Sequence, residues 1–224
     1  MAANSLDRAK QAVRTQVWDA LTAADAIHDP SVHGRIPHFK GTEQAAARLA
    51  TLPAWQRASI VKSVPDKAQL PVRTRALEEG KTVYMAVPKL ATPKPFYLLD
   101  PATLTVPPTE TAAGRTAAAI APTVEVDALR PLDLIVLGSV AVNRDGARIG
   151  KGAGYSDIEV GDSPYRRNDP TFGVCPSVSQ LGHGLRRRGG RGCRRRREGR
   201  RRGRSAREAP SQFLMPWTPT RQPR

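Results

Sequence analysis

The sequence predicts an α/β domain, three layers deep, with helices flanking a mostly parallel sheet. Short apolar runs of strand length at 59–64, 83–87, Phe96–Leu99 and Leu134–Leu137 alternate with stretches of helical periodicity. The run Leu134-Ile135-Val136-Leu137 shows no polar alternation, which marks a strand covered on both faces and hence central. Shortly after it comes Arg148-Ile149-Gly150-Lys151-Gly152-Ala153-Gly154-Tyr155-Ser156-Asp157, three glycines at alternate positions. A strand running into such a loop is how α/β proteins bring backbone N–H groups to an anion.

The first helix is expected over 5–27, capped by Asn4 or Ser5, with Leu6, Val13, Val17, Ala20 and Leu21 as its apolar stripe. Lys10 and Arg14 fall on one flank of that stripe, where long cations can stretch over a core edge into a cleft or simply remain solvated. Residues 28–41 read as a connection, and His28, His33 and His38 within it as surface histidines without a metal-ligand pattern. A short amphipathic helix over 42–52 follows, through Ala46, Leu49 and Ala50. After the strand at 59–64, a helix over 71–80 faces inward through Ala76 and Leu77 and is ended by Gly80. Trp18 and Trp55 sit at helical positions and read as core. Residues 101–125 are rich in Ala, Thr and Pro and read as a long surface excursion.

At 224 residues the chain carries a formal charge of +16, which suggests a nucleic-acid binder until it is divided along the sequence. Residues 1–160 hold 19 Lys and Arg against 16 Asp and Glu, a net of +3, whereas 161–224 hold 17 Arg against 4 acids, a net of +13. The basic character therefore belongs to the last segment. Both cysteines, Cys175 and Cys193, lie there too, so the first 160 residues have neither a disulfide framework nor a thiolate metal site. No stretch approaches the roughly 20 apolar residues that span a bilayer. Asp7, Arg8, Lys10 and Arg14 interrupt any secretory apolar region, and a cytoplasmic location is expected.

The glycine loop is not a Walker A element, since no Ser or Thr follows Lys151, and its spacing is not G-x-G-x-x-G. On spacing alone, a phosphate cradle and a plain flexible connection stand equal. Ser139 after Gly138 lacks the full nucleophile-elbow pattern, which leaves a hydrolase unsupported.

Read with its flanks, the loop resembles the signature of the 5-formyltetrahydrofolate cyclo-ligase family: a strand, a turn with Gly, then Arg-Leu/Ile-Gly-Arg/Lys-Gly-x-Gly-Tyr-Tyr-Asp. Lys10 and Arg14 match that family's N-terminal Lys-x-x-x-Arg. The stretches 35–41 and 81–88 are similar to its divergent branch, whose animal members are called methenyltetrahydrofolate synthetase domain-containing proteins. Ser156 in place of the second Tyr is typical of that branch, where activity is less secure. The resemblance covers roughly residues 5 to 160.

It implies ATP- and Mg²⁺-dependent closure of 5-formyltetrahydrofolate to 5,10-methenyltetrahydrofolate. Lys10, Arg14, Gly150, Gly152 and Gly154 would contact the ATP phosphates, with Lys151 and Arg148 as the catalytic charges. Asp157 would help hold Mg²⁺. Asp66 falls where the family has a substrate-binding Glu, although Gln69 replaces a nearby Thr, and Phe96 and Tyr155 would line the folate pocket. The alternatives are a non-catalytic nucleotide- or RNA-associated protein on the same fold, or an inactive frameshifted product.

That last alternative comes from residues 161–224, which contain no Ile, no Lys and no periodic apolar pattern, but long runs of Arg. Such a segment buries too little apolar area to offset its ordering entropy, and disorder is expected. Out-of-frame reading of a GC-rich gene gives this composition. A frameshift near codon 161 ranks first, a solvated tail second and an arm binding RNA or DNA phosphates third. The domain is thus expected over 1–160, incomplete at its C-terminal end, followed by a low-complexity tail over 161–224.

Overall fold

The computed structural model describes residues 2–143, 147–155 and 172–174. Helix α1 runs Ala2–Ala23, so Asn4 and Ser5 lie within it rather than capping it. It stops four residues short of Ile27. Asp25 adopts a left-handed backbone (φ 48°), and Ile27 instead bridges antiparallel to Phe39. The helices α2 (Thr42–Ala50) and α3 (Pro53–Arg57) follow, the second unforeseen, with Pro53 in its first turn. Then come β1 (Ile60–Ser63), α4 (Leu70–Glu78), β2 (Thr82–Ala86) and β3 (Phe96–Leu99).

The expected surface excursion over 101–125 does lie mostly at the surface, but it is not without structure. It contains α5 (Pro108–Thr111), α6 (Gly114–Ile120) and β4 (Thr123–Val124), and Thr111, Ala112 and Ala117 are fully buried. Small side chains let α5 press close to α4 and α6 close to α5 and β3, and this kind of packing leaves no apolar stripe in the sequence. The central strand β5 (Leu134–Leu137) is followed by the hairpin strands β6 (Ala141–Val142) and β7 (Arg148–Ile149), and by β8 (Phe172–Val174).

Six strands form the main sheet in the order β4-β3-β2-β1-β5-β8. The pairs β1–β2, β1–β5 and β5–β8 are parallel, while β3 and β4 add antiparallel at one edge. A mixed α/β fold on a mostly parallel sheet is what the alternating runs predict. Asp133 accepts N–H bonds from Ser59 (2.9 Å) and Ile60 (3.0 Å), pinning the start of β5 to the start of β1.

One face packs Val61, Val83, Met85, Leu99, Leu134 and Val136 against α2 to α6. The other buries Tyr84, Ala86, Phe96, Ile135 and Leu137 beneath Leu129 and Leu132. Trp18 and Trp55 are both core, at 2% and 0% exposure. The Arg-rich runs, the expected disorder and the frame change lie outside the described residues, except that β8 at the sheet edge comes from within 161–224.

Arg73 on α4 is 1% exposed and donates to three carbonyls: Val64, Asp66 (3.2 Å) and Ala112 (2.8 Å). Hydrogen bonds from a charged group to buried acceptors are each worth roughly 1.5–3 kcal/mol. Arg73→Leu is expected to lower the unfolding free energy by about 3 kcal/mol or more, read from a shifted denaturant midpoint. A midpoint within error of the parent would contradict this role.

Candidate functional site

β1 leads to β2 on one side of the sheet, and the next parallel strand, β5, lies on the other side. The chain therefore reverses direction across the sheet between β1 and β5. The crevice beyond the carboxyl ends of such a strand pair is where open α/β sheets bind ligands. The segment 64–69 leaves β1 here, and Gly138-Ser139 leaves β5.

The β1 side is rigid. Gln69, fully buried, accepts from Ser63 Oγ (2.7 Å) and the Val64 N–H (3.0 Å), and Arg73 holds the carbonyls of Val64 and Asp66 from behind. Asp66 is thereby presented at the crevice, half-buried. Burial pushes its carboxyl above the ordinary range, opposed by the charges of Lys151, Arg73 and Lys62. Burial also lowers the Arg73 guanidinium to about 10, so it remains charged at neutral pH.

On the β5 side, Arg148 folds back from β7, its Nε donating to Ser139 Oγ (3.2 Å) and its Nη2 to the Gly138 carbonyl (3.1 Å). The glycine loop continues from it. Gly152 (φ 105°) and Gly154 (φ 72°) take the left-handed backbone that non-glycine residues rarely adopt. From α1, Arg14 reaches this loop and donates through Nε to the Gly150 carbonyl at 2.8 Å, while its guanidinium carbon lies 3.4 Å from where a Cβ of Gly152 would sit.

The structure thus brings Arg14, Arg148, Lys151, Asp66 and the glycines 150, 152 and 154 to one end of the sheet. Lys10 is exposed one helical turn before Arg14, and Tyr155 is half-buried at the loop's end. Phe96 pairs with Ala86 at the same end of the sheet but is 1% exposed within the second core face. Asp157 lies outside the described residues. The histidine segment closes over the region as well: Asp29 binds Lys67 at 2.7 Å, and Ile36 lies beside Gly138. Burial lowers the His38 pKa.

Sequence reading missed Lys62 and Arg73 and noted Gln69 only as the replacement for a Thr; all three are fully or almost fully buried. Lys62 pairs in register with Tyr84 and Ile135, so it stands on the second, apolar face of the sheet. Its signal was a cation inside an otherwise apolar strand run, which structures seldom tolerate without a purpose.

Asp66 gives a pH dependence of stability. A carboxyl whose folded pKa lies above its unfolded value of 3.8 makes the folded state bind more protons, so stability falls as pH rises from 3.8 through the folded pKa. Asp66→Asn is expected to unfold at higher temperature than the parent near neutral pH, with the gap closing below pH 3.8. Calorimetry across that range checks it, and a gap that persists in acid counts against the burial cost.

Among the described residues no helix is long and apolar enough to cross a membrane. A family model for the 5-formyltetrahydrofolate cyclo-ligase family matches residues 7–174. The chain is 38% identical over 158 residues to a methenyltetrahydrofolate synthase domain-containing protein of Mus musculus, covering 67% of this chain and 41% of that protein. Against the Homo sapiens protein of the same name the identity is 35% over 158 residues, 67% and 40% of the two chains. Against that of Danio rerio it is 34% over 157 residues, 66% and 39%. The chain spans about two fifths of the length of these curated relatives. With the family signature set out at the carboxyl end of a parallel sheet and the match running from the first helix to the last strand, the chain belongs to the 5-formyltetrahydrofolate cyclo-ligase family.

Proposed function

We propose that this chain is an ATP- and Mg²⁺-dependent ligase that closes 5-formyltetrahydrofolate, or a close folate-like relative, to the 5,10-methenyl form. Membership of the family supports a folate-related ligase. The observation that carries the nucleotide assignment is Arg14, sent from α1 across to the glycine loop and seated against Gly150 and Gly152.

In this reading the terminal phosphoryl group of ATP passes to the formyl oxygen and ADP leaves. N10 of the folate then attacks the activated formyl carbon, and the carbon–oxygen bond breaks with release of phosphate. Phosphoryl transfer depends on positioning and charge neutralisation more than on a protein nucleophile. Arg14, Lys10 and the amides of Gly150, Gly152 and Gly154 hold the phosphates, and Arg148 and Lys151 neutralise the charge that develops.

Asp66 accepts a polar hydrogen of the folate, with Tyr155 on the apolar side of that pocket; Phe96, expected to line it, is instead enclosed in the core behind the sheet. Among the described residues no three metal-ligating side chains converge, so Mg²⁺, which supplies further charge neutralisation, would be held by phosphate oxygens together with Asp157. We also keep the C-terminal Arg-rich segment as a frameshift product, and the cytoplasm as the compartment.

The test follows the absorbance of methenyltetrahydrofolate with ATP, Mg²⁺ and 5-formyltetrahydrofolate. Lys151→Ala is expected to lower kcat/KM about 100-fold and Arg14→Ala to raise the KM for ATP, with unfolding temperatures unchanged. ATP binding without turnover in the parent chain would instead favour the non-catalytic nucleotide-binding reading.

A further inference from the structure

Gly138 sits where β5 opens into the crevice, and its backbone is not left-handed, so conformation does not demand glycine there. Space does. A Cβ built on Gly138 would lie 2.6 Å from Asp66 Oδ2, and 3.2 and 3.4 Å from the two γ-carbons of Ile36. Carbon and oxygen atoms do not approach to 2.6 Å, so the carboxylate occupies the volume that any side chain at 138 would take. The main chain of Asp66 is clamped from behind by Arg73, which leaves the side-chain torsions as its freedom to respond. The same Gly138 carries the carbonyl that receives Arg148 Nη2 at 3.1 Å.

We propose that Gly138 is a positioning residue that acts through Asp66: its bare α-carbon seats the carboxylate at the mouth of the β1–β5 crevice, in the volume that a side chain at 138 would fill. The functional value of that seat rests on the reading that Asp66 contacts the substrate, but the seating itself does not. Because the crowded atom is the end of a short side chain, a methyl group at 138 turns the carboxylate outward instead of breaking the sheet. Turned outward, it regains water and its titration returns towards that of an ordinary aspartate.

The test uses the full chain with ¹³C-labelled aspartate, the Asp66 signal being assigned by its disappearance in Asp66→Asn. In the parent protein Asp66 is expected to titrate above an ordinary aspartate, and in Gly138→Ala to move down towards it. An Asp66 titration unchanged by Gly138→Ala overturns the proposal. If Gly138→Ala does not fold, Gly138→Ala combined with Asp66→Ala decides: recovered cooperative unfolding supports the seat, and no recovery overturns it. Binding of 5-formyltetrahydrofolate to Asp66→Asn is measured separately. Unchanged binding there, alongside a titration moved by Gly138→Ala, would sink the substrate assignment and leave the seat standing.

Discussion

The buried guanidinium of Arg73 is the constraint on which the carboxyl end of the sheet depends. Taking a charge out of water costs several kcal/mol, and the cost shows in a pKa pushed down to about 10. Three carbonyls offset it, two from the segment leaving β1 and one from the end of α5. A plain helix–sheet contact could slide, whereas this one fixes where residues 64–66 lie relative to both α4 and the 108–112 turn. Gln69 completes the clamp by tying Ser63 and Val64 together from the same side. Asp66 owes its place to this polar scaffold.

Around that fixed point the site is assembled from two kinds of structure. Its inner half is the sheet itself, with Asp66 and Gly138 on either side of the point where the strand order reverses. The outer half is the β6–β7 hairpin and glycine loop, joined to α1 by the Arg14–Gly150 hydrogen bond. Arg148 links the halves, since its backbone belongs to β7 and its guanidinium reaches Ser139 and Gly138. The resulting field is strongly positive, with Arg14, Arg148 and Lys151 set against Asp66. Such a field attracts a polyanion, and Lys151, with Arg73 and Lys62 behind it, at the same time lowers the cost of ionising Asp66.

The sheet was legible because strands covered on both faces must be continuously apolar, and Phe96–Leu99 and Leu134–Leu137 match their sequence runs residue for residue. The glycine loop was legible because positive φ at 152 and 154 leaves few other residues possible. The end of α1 was not, since a left-handed Asp25 breaks a stripe that would otherwise run on to Ile27. The two helices after residue 107 were hidden because they pack through alanine and threonine. Arg73 was hidden by its charge, yet its spacing of three and four from Ala76 and Leu77 puts it on the inward stripe of α4, and that periodicity was available to read. Gly138 gave no signal, since its reason lies 72 positions earlier in the sequence, in the carboxylate of Asp66.

The glycines at this site therefore do different physical work, and the difference separates two kinds of specificity. At 152 and 154 glycine permits a left-handed backbone, which in the proposed function aims amides at an anion, a property indifferent to what that anion is attached to. At 138 it yields volume to a side chain contributed by another strand, which fixes the position of a single acceptor to within the width of a methyl group. The first suits a phosphate chain, whose oxygens are equivalent and whose charge is met by mobile cations. The second suits a ligand edge with one particular hydrogen to offer. A reaction that joins a phosphoryl donor to a heterocyclic acceptor needs one site of each kind, close together, with the cations between them. Arg148 and Lys151 occupy that intermediate ground: Arg148 is bonded to the Gly138 carbonyl, and Lys151 lies within the glycine loop with its charge felt at Asp66.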